Sequence, residues 1–409
     1  MKYLFPGGIG MYVLSIRRHF KDDRTWLLVI TALTAGICQS ATAATLCVNP
    51  GGTSGCYSTI GAAVMQARMD YLNNGTIDII NVAPGTYKED VIILTPLSLV
   101  GAGPGRSVIN AVGLPNGIYI DGVDAPNNHL SQVVVTGFTV ENANFEGILV
   151  TNASFVIVRD NEVIKNDLSL NVSVPACPDQ PAFETSETND CGEGIHLIGV
   201  DHSTVGNNTS KKNSGGILLT DETGATHHNL IIGNLVQDNP FDCGITLASH
   251  PSAPNTGLTS PPGVYSNTIA NNESLHNGYQ VPGAGAGVGI FAPGPGNQAY
   301  ANVVINNQLQ DNGLPGVALH NHAALAGAPA VNLNDNVIVG NSISGNGADT
   351  ADAATPGPTG INVFGITSIT GTLIAGNVIN RESVDIATNT PRPGKYTSQQ
   401  LTRRGYRRG

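Results

Sequence analysis

The sequence predicts an all-β protein, a single-stranded right-handed parallel β-helix of about ten coils. Its 409 residues include 50 glycines and only 5% aromatic residues, a composition typical of short strands separated by many turns. A Gly-Ile or Gly-Val pair followed by alternating residues recurs along the chain, and so does a pair of asparagines five positions apart. The glycine pairs begin at Gly117, Gly147, Gly194, Gly216, Gly244, Gly289, Gly316 and Gly360.

The asparagine pairs indicate the length of a coil. They are Asn161/Asn166, Asn208/Asn213, Asn234/Asn239, Asn272/Asn277, Asn307/Asn312 and Asn341/Asn346, and Asn377 closes the series. The intervals are 47, 26, 38, 35, 34 and 36 residues, so the shortest is one bare coil and the others carry insertions. Coils of this kind stack about 4.8 Å apart with parallel pairing. Asparagine at a fixed place in each coil tolerates a left-handed backbone and hydrogen-bonds to its copies above and below.

The open end of such a stack needs a cap, because it exposes apolar core and unpaired backbone. Residues 57–71 predict an α-helix that supplies it. Ser58 or Thr59 can cap the helix N-terminus, and four apolar residues share one face. These residues are Ile60, Ala63, Val64 and Ala67.

Residues 1–43 predict a signal peptide, with basic residues before an apolar stretch and small residues at 41–43. A retained membrane anchor is the alternative. We therefore expect a secreted or periplasmic protein with a β-helix domain at 44–390 and a disordered basic tail at 391–409. Five cysteines remain after cleavage. Cys47–Cys56 and Cys177–Cys191 are predicted disulfides. Cys243 is predicted to be a buried free thiol rather than a catalytic one.

Charge excludes one class of partner. Residues 44–391 hold eight Lys and Arg against 28 Asp and Glu, so this body repels polyanions and nucleic acid is a poor partner. No segment after the signal peptide is apolar enough to insert into a membrane. We expect a monomer.

The first coils resemble the opening of pectate-lyase-like right-handed β-helix proteins. The resemblance rests on the region from Cys47 through the strings AAVMQA, INVAPGTYKEDVIIL and LSLVGAG, and the later repeats resemble the parallel β-helix repeat as far as Ile386. It implies the fold and no single activity, because this fold carries lyases, hydrolases, epimerases, adhesins and binding proteins. The chain has no Asn-Thr-Asp or Gly-His-Gly string of polygalacturonases, no Arg-x-Pro-x-x-Arg string of pectate lyases and no Asp-Pro-His-Asp string of alginate epimerases.

Strand alternation predicts a cleft on the face of the Gly-Ile strands. Residues between the inward Ile and Leu positions point away from the interior. Insertions lie before these strands at 167–191, 280–287 and 348–359, and after them at 249–262, 293–299 and 322–330. Loops on both edges of one face form a cleft; neutral decoration is the alternative.

The polar residues predicted in this cleft are mainly histidines and carboxylates, the groups that act as general acids and bases. The predicted catalytic residues are His196, Asp221, His250 and His320. The predicted substrate-binding residues are Tyr119, Thr246, Phe291 and Glu222, of which the aromatic residues offer rings to a sugar. A solvated acidic loop is the favoured interpretation of Glu187, Asp190 and Glu193, because no calcium-loop spacing is present; the alternative is a calcium ion as cofactor, with these carboxylates as its oxygen ligands.

The leading functional prediction is a secreted carbohydrate-active protein that binds, and cleaves or epimerises, an extended glycan. Whether it is an enzyme at all stays open, and an adhesin-like or envelope-associated binding protein is the alternative. A third resemblance is to periplasmic β-helix accessory proteins of copper-enzyme maturation. The four methionines and dispersed histidines of the chain give that reading little support.

Overall fold

The computed structural model describes residues 43–167, 192–252, 256–280, 285–321, 329–350 and 355–391. The predicted signal peptide, the predicted Cys177–Cys191 disulfide and the predicted basic tail lie outside these ranges, except for residues 43 and 391 at their ends. Within them, no helix is long and apolar enough to cross a membrane.

The described residues form a parallel β-helix, as predicted, with three sheets that run along its coils. The first sheet contains Thr45–Val48, Asp78–Val82, Leu97–Gly101, Val133–Thr136, Ile157–Arg159, Thr204–Gly206, Leu230–Ile232, Thr268–Ala270, Val303–Ile305, Val337–Val339 and Leu373–Ala375. The second contains Gly85–Tyr87, Ser107–Asn110, Thr139–Glu141, Glu162–Ile164, Thr209–Lys211, Leu235–Gln237, Glu273–Leu275, Gln308–Gln310, Ser342–Ser344 and Val378–Asn380.

The third sheet contains the Gly-Ile strands and is the one that bears the predicted site. Its strands are Val91–Ile93, Ile118–Asp121, Leu130–Ser131, Ile148–Ser154, Glu193–Asp201, Gly215–Thr220, Thr226–His227, Ile245–Ala248, Val264–Tyr265, Val288–Phe291, Ala299–Tyr300, Val317–Asn321, Thr359–Gly365 and Val384–Asn389. Ile195 pairs with Ile148 on one side and Ile217 on the other, and all three belong to the continuous apolar core inside the coils. The predicted inward parity of these strands is therefore confirmed.

The asparagine ladder is also confirmed. The backbone N–H and the Nδ2 of each asparagine donate to Oδ1 of its copy one coil later, through Asn208, Asn234, Asn272, Asn307 and Asn341. A second ladder runs through the partners five positions on and ends at the carboxylate of Glu382. A third ladder, which was not predicted, runs through Asn229, Asn267, Asn302 and Asn336.

The N-terminal cap is an α-helix at Ile60–Asn74, of the predicted length but three residues further along the chain. The Thr59 side chain accepts a hydrogen bond from the Ala62 N–H, and the Glu89 carboxylate accepts from the N–H groups of residues 60 and 61. Gly75 ends the helix in the left-handed conformation, with φ of 74°. The four predicted apolar residues are buried against the first coils.

The cysteines that the structure describes agree with the sequence. Cys47 and Cys56 form a disulfide, and Cys243 is a buried free thiol. Burial raises the pKa of Cys243 well above its usual value. A thiol of this kind is inert, which disfavours the catalytic alternative.

Candidate functional site

The predicted site residues lie on the outward side of the third sheet, but they are not exposed. His196 and Glu222 are 0% exposed, and His250 and His320 are each 2% exposed. The expectation of an open cleft floor is therefore wrong for these side chains. Alternation predicts the direction in which a side chain leaves a strand, whereas its exposure depends on whether an insertion folds over it.

The ends of the insertion after residue 248 are held against the preceding coil. The Asp221 carboxylate accepts hydrogen bonds from Ser249 Oγ at 2.9 Å, from the His250 N–H at 2.7 Å and from the Gly263 N–H at 2.7 Å. Asp221 was predicted to be catalytic. Its contacts attach both ends of the insertion to the preceding coil.

The first of three buried carboxylate–imidazole pairs joins Glu146 and His196. Glu146 Oε1 lies 2.9 Å from His196 Nδ1, and His196 Nε2 lies 2.9 Å from Thr220 Oγ1 on the next coil. Because a carboxylate only accepts, Nδ1 carries the proton and Nε2 faces the hydroxyl. Glu146 Oε2 accepts from the backbone N–H of Glu193 at 2.8 Å. Both glutamates precede a Gly-Ile pair, so a repeated Glu-Gly-Ile string was the sequence signal for Glu146.

Glu146, Glu193 and His196 could together hold a metal ion. One ligand atom from each lies within 4.8 Å of the others, and all three residues are buried. Two carboxylates and an imidazole suit transition metals better than calcium, which takes six to eight oxygen ligands. Of the predicted calcium ligands, Glu187 and Asp190 lie outside the described residues. Glu193 instead has a glutamate and a histidine beside it.

The second pair joins Glu222 and His250 on adjacent coils, with Oε1 of the glutamate 2.7 Å from Nδ1 of the histidine. Burial opposes ionisation of Glu222, but the positive charges of His250 and His196 outweigh it and lower the pKa of this carboxyl. The neighbouring Asp221 behaves in the opposite way. Burial and the charge of Glu222 raise the pKa of Asp221 to about 7. Two adjacent carboxyl groups thus have pKa values shifted in opposite directions, an arrangement found in acid–base sites.

The third pair joins Asp349 and His320, with Oδ2 of the aspartate 3.3 Å from Nδ1 of the histidine. Asn362 Nδ2 lies 2.8 Å from His320 Nε2, and the Phe291 ring packs edge-on at a centroid distance of 5.8 Å. Asp349 lies in an alanine-rich insertion and had no sequence signal.

The remaining predicted substrate residues occupy different places. Phe291 follows the pair Gly289-Ile290 as Thr246 follows Gly244-Ile245, so the sequence predicts that the two side chains are neighbours on adjacent coils. The register instead places Thr246 opposite Gly289 and Phe291 opposite Ala248 and His320. The prediction is wrong because two consecutive pairs, Gly-Val and Gly-Ile, occur at 287–290, and Val288 rather than Ile290 aligns with Ile245.

The observed hydrogen bonds of Tyr119 and Thr246 go to residues that are not members of the three histidine pairs. Tyr119 Oη lies 3.3 Å from Thr151 Oγ1, and burial raises the pKa of this phenol. Thr246 is 5% exposed and hydrogen-bonds to the Cys243 thiol. A shallow pocket of about 330 Å³ lies far from the site at the first coils, beside Cys47. None of the side chains that line this pocket titrates, so the pocket does not support a catalytic role.

Comparisons with known proteins agree on the fold. Residues 107–287 match a family described as "Periplasmic copper-binding protein (NosD)", which is less than half of the chain. This description agrees with the resemblance to periplasmic accessory proteins of copper-enzyme maturation, which the methionines and histidines of the sequence support only weakly. No curated protein matches the sequence.

Solved structures resemble the chain over most of its length. An alginate lyase from Paenibacillus sp. is 14% identical, with 84% of this chain and 99% of that chain covered and a TM-score of 0.50. The Dettilon tailspike protein is 14% identical, with coverage of 82% and 52% and a TM-score of 0.51. The catalytic domain of a GH87 α-1,3-glucanase is 16% identical, with coverage of 81% and 54% and a TM-score of 0.50. At these identities the likeness extends to the fold alone. The chain is thus a right-handed parallel β-helix protein.

Proposed function

We propose that the chain is an exported carbohydrate-active protein that binds, and cleaves or epimerises, an extended glycan on the face of the third sheet. One observation carries the proposal: the oppositely shifted carboxyl groups of Asp221 and Glu222 lie beside His250, with His196 close enough to lower the pKa of Glu222. An acid and a base held at different protonation states are what glycan cleavage and epimerisation both need. The neighbours that act on alginate and α-1,3-glucan are consistent with this class of substrate.

Export to the periplasm or the cell exterior is part of the proposal. The Cys47–Cys56 disulfide supports it, because disulfides persist in oxidising compartments. The periplasmic description of the matched family points the same way.

Burial sets a condition on the mechanism. A glycan can reach His196 and His250 only if the segments that cover them move. The hydrogen bonds of Asp221 to Ser249, His250 and Gly263 are among the described contacts that hold the insertion after residue 248. With a pKa of about 7, Asp221 changes charge close to neutral pH, so any activity is expected to change steeply with pH in that region.

The test is an assay of the mature protein on alginate, polygalacturonate and α-1,3-glucan, with and without Ca²⁺. Unsaturated products, new reducing ends and uronate composition would be measured. We expect His196→Gln and His250→Gln to lower activity by about 10²–10⁴-fold, the usual loss when an acid–base group is removed. Both residues are buried, so the melting temperature of each variant must be measured as well.

The matched control is His276→Gln. His276 also has an aspartate partner, with Nδ1 2.8 Å from Asp238 Oδ1, but its side chain is 50% exposed. It should keep full activity. Full activity in the His196 and His250 variants would contradict the proposed site. Glycan binding without turnover by the wild type would favour the non-enzymatic binding protein.

A second candidate function is metal binding, supported by the Glu146–Glu193–His196 cluster and by the copper-binding description of the matched family. We expect the purified protein to retain Cu²⁺ or Zn²⁺ after dialysis and Glu193→Gln to retain at least about tenfold less. Element analysis after dialysis measures this. Equal retention by both proteins would contradict it, and preferential binding of Ca²⁺ would favour the predicted calcium site.

A further inference from the structure

Three histidines gather at one corner of the β-helix, away from the buried pairs. His227 lies on the strand Thr226–His227 of the third sheet, His228 follows it, and His202 follows the strand of the preceding coil. Their ring centroids are 5.0 Å apart for His227 and His228, 5.1 Å for His202 and His228, and 5.8 Å for His202 and His227. His228 is exposed, and the His202 side chain is 49% exposed.

The contact between the two consecutive histidines is the most informative feature. Nδ1 of His227 and Nδ1 of His228 are hydrogen-bonded at 2.9 Å, with the ring planes perpendicular, and an ion bound by both nitrogens would replace this hydrogen bond. Imidazole nitrogens bind a zinc ion at about 2.0–2.1 Å. If the nitrogen–metal–nitrogen angle lies between a right angle and a tetrahedral angle, the two nitrogens are about 2.9–3.4 Å apart. The observed separation falls within that range.

His202 is oriented by a carboxylate. Asp201 Oδ1 lies 2.6 Å from His202 Nδ1, and the other oxygen accepts from Ser154 Oγ at 3.0 Å. The carboxylate therefore keeps the proton on Nδ1 and leaves the lone pair on Nε2. A histidine that ligates a metal commonly donates its other N–H to a carboxylate in this way.

Ring packing alone does not account for this group. His227 stacks on Tyr265, and Tyr265 stacks on Tyr300, in consecutive coils. A tyrosine or phenylalanine at 227 would continue that stack equally well, but it would not place a ring nitrogen against His228.

We propose that His202, His227 and His228 form a surface site for one divalent transition-metal ion of the class that imidazole prefers, such as Zn²⁺. His227 and His228 bind it through Nδ1. His202 binds through Nε2 after its half-exposed ring turns out of its stacks on His228 and Phe155, and Asp201 holds the opposite nitrogen. The site rests on these side chains and not on the proposed glycan activity. Its nearest link to the buried cluster is the strand Glu193–Asp201, on which His196 lies five residues before Asp201.

The experiment is calorimetric titration of the mature protein with Zn²⁺, with Mg²⁺ as a hard cation that three imidazoles bind poorly. We expect His227→Gln and His228→Gln each to weaken Zn²⁺ binding at the corner by at least about tenfold. The melting temperature without metal shows whether each variant is folded. The histidine ring nitrogens of wild type, followed by NMR, should shift at these three residues on addition of Zn²⁺.

Two further variants make the result specific. His276→Gln should bind Zn²⁺ as the wild type does, because His276 is an exposed histidine with an aspartate and a stacked ring but no second histidine. Glu193→Gln should also keep the corner site, because it changes only the buried cluster. Unchanged binding by the His227 and His228 variants would overturn the proposal. Loss of all binding in Glu193→Gln alone would overturn it too and assign the metal to the buried cluster.

Discussion

Asn272→Ala is expected to lower the free energy of unfolding by about 3 kcal/mol or more. Asn272 is 1% exposed. Its Oδ1 accepts from the backbone N–H and the Nδ2 of Asn234, each at 2.9 Å. Its Nδ2 donates to the Ile231 carbonyl at 2.9 Å and to Asn307 Oδ1 at 3.0 Å. Truncation leaves these buried groups without this partner, and each buried donor or acceptor that loses its partner costs about 1–3 kcal/mol.

Chemical denaturation monitored by circular dichroism measures the effect. Asn380→Ala is the matched control, because Asn380 is an exposed residue of the strand Val378–Asn380 and lies outside the ladders. We expect it to change stability by no more than about 0.5 kcal/mol. An effect of Asn272→Ala as small as that of the control would mean that the ladder does not stabilise the stack.

His250→Ala is expected to destabilise the protein by about 3–5 kcal/mol, because it leaves the Glu222 carboxylate buried without its imidazole. His276→Ala removes an exposed histidine from a pair of similar length, 2.8 Å to Asp238, and should cost less than about 1 kcal/mol. The double variant Glu222→Gln/His250→Ala should be more stable than His250→Ala, since it removes the unpaired charge. A double variant less stable than the single one would contradict this account.

The single variant His250→Ala should also change how the free energy of unfolding depends on pH. In the wild type the pKa of Glu222 is lowered on folding, so its contribution is present above the unfolded value of about 4.5 and is lost as pH falls. Without the His250 charge, burial dominates and raises the folded pKa, so stability is lost as pH rises from about 4.5 towards neutrality. Asp221, whose pKa is raised to about 7, already contributes a loss in that window in the wild type. The difference between the wild type and His250→Ala, followed from pH 4 to 7, therefore reports the loss of the Glu222–His250 pair, together with its effect on Asp221.

The fold could be predicted because its determinants repeat. The coils present the same inward apolar positions, and from Asn161 onwards they also present the same asparagine, so seven copies of this signal reinforce one another. The third ladder was also visible, since Asn229, Asn267, Asn302 and Asn336 each precede a predicted ladder asparagine by five residues. Candidate residues could be chosen from the repeat, His196 by strand parity and His250 because it follows a strand. Which carboxylate each histidine contacts could not, because Glu146 lies 50 residues before His196 and Asp349 lies 29 residues after His320. The repeated Glu-Gly-Ile string marks Glu146 but does not say which histidine it contacts.

The sequence by itself determined the coil repeat, the capping helix, the Cys47–Cys56 disulfide and the face of the sheet on which the histidines lie. These features follow from local periodicity and from contacts between equivalent positions of neighbouring coils. Only the tertiary structure decided that His196 and His250 are buried and that Asp221 attaches an insertion. It also placed Phe291 opposite Ala248 and not, as expected, opposite Thr246. Insertions differ from coil to coil and obey no repeat, so their folding over the sheet, and with it the electrostatics of the site, depends on contacts that periodicity cannot predict.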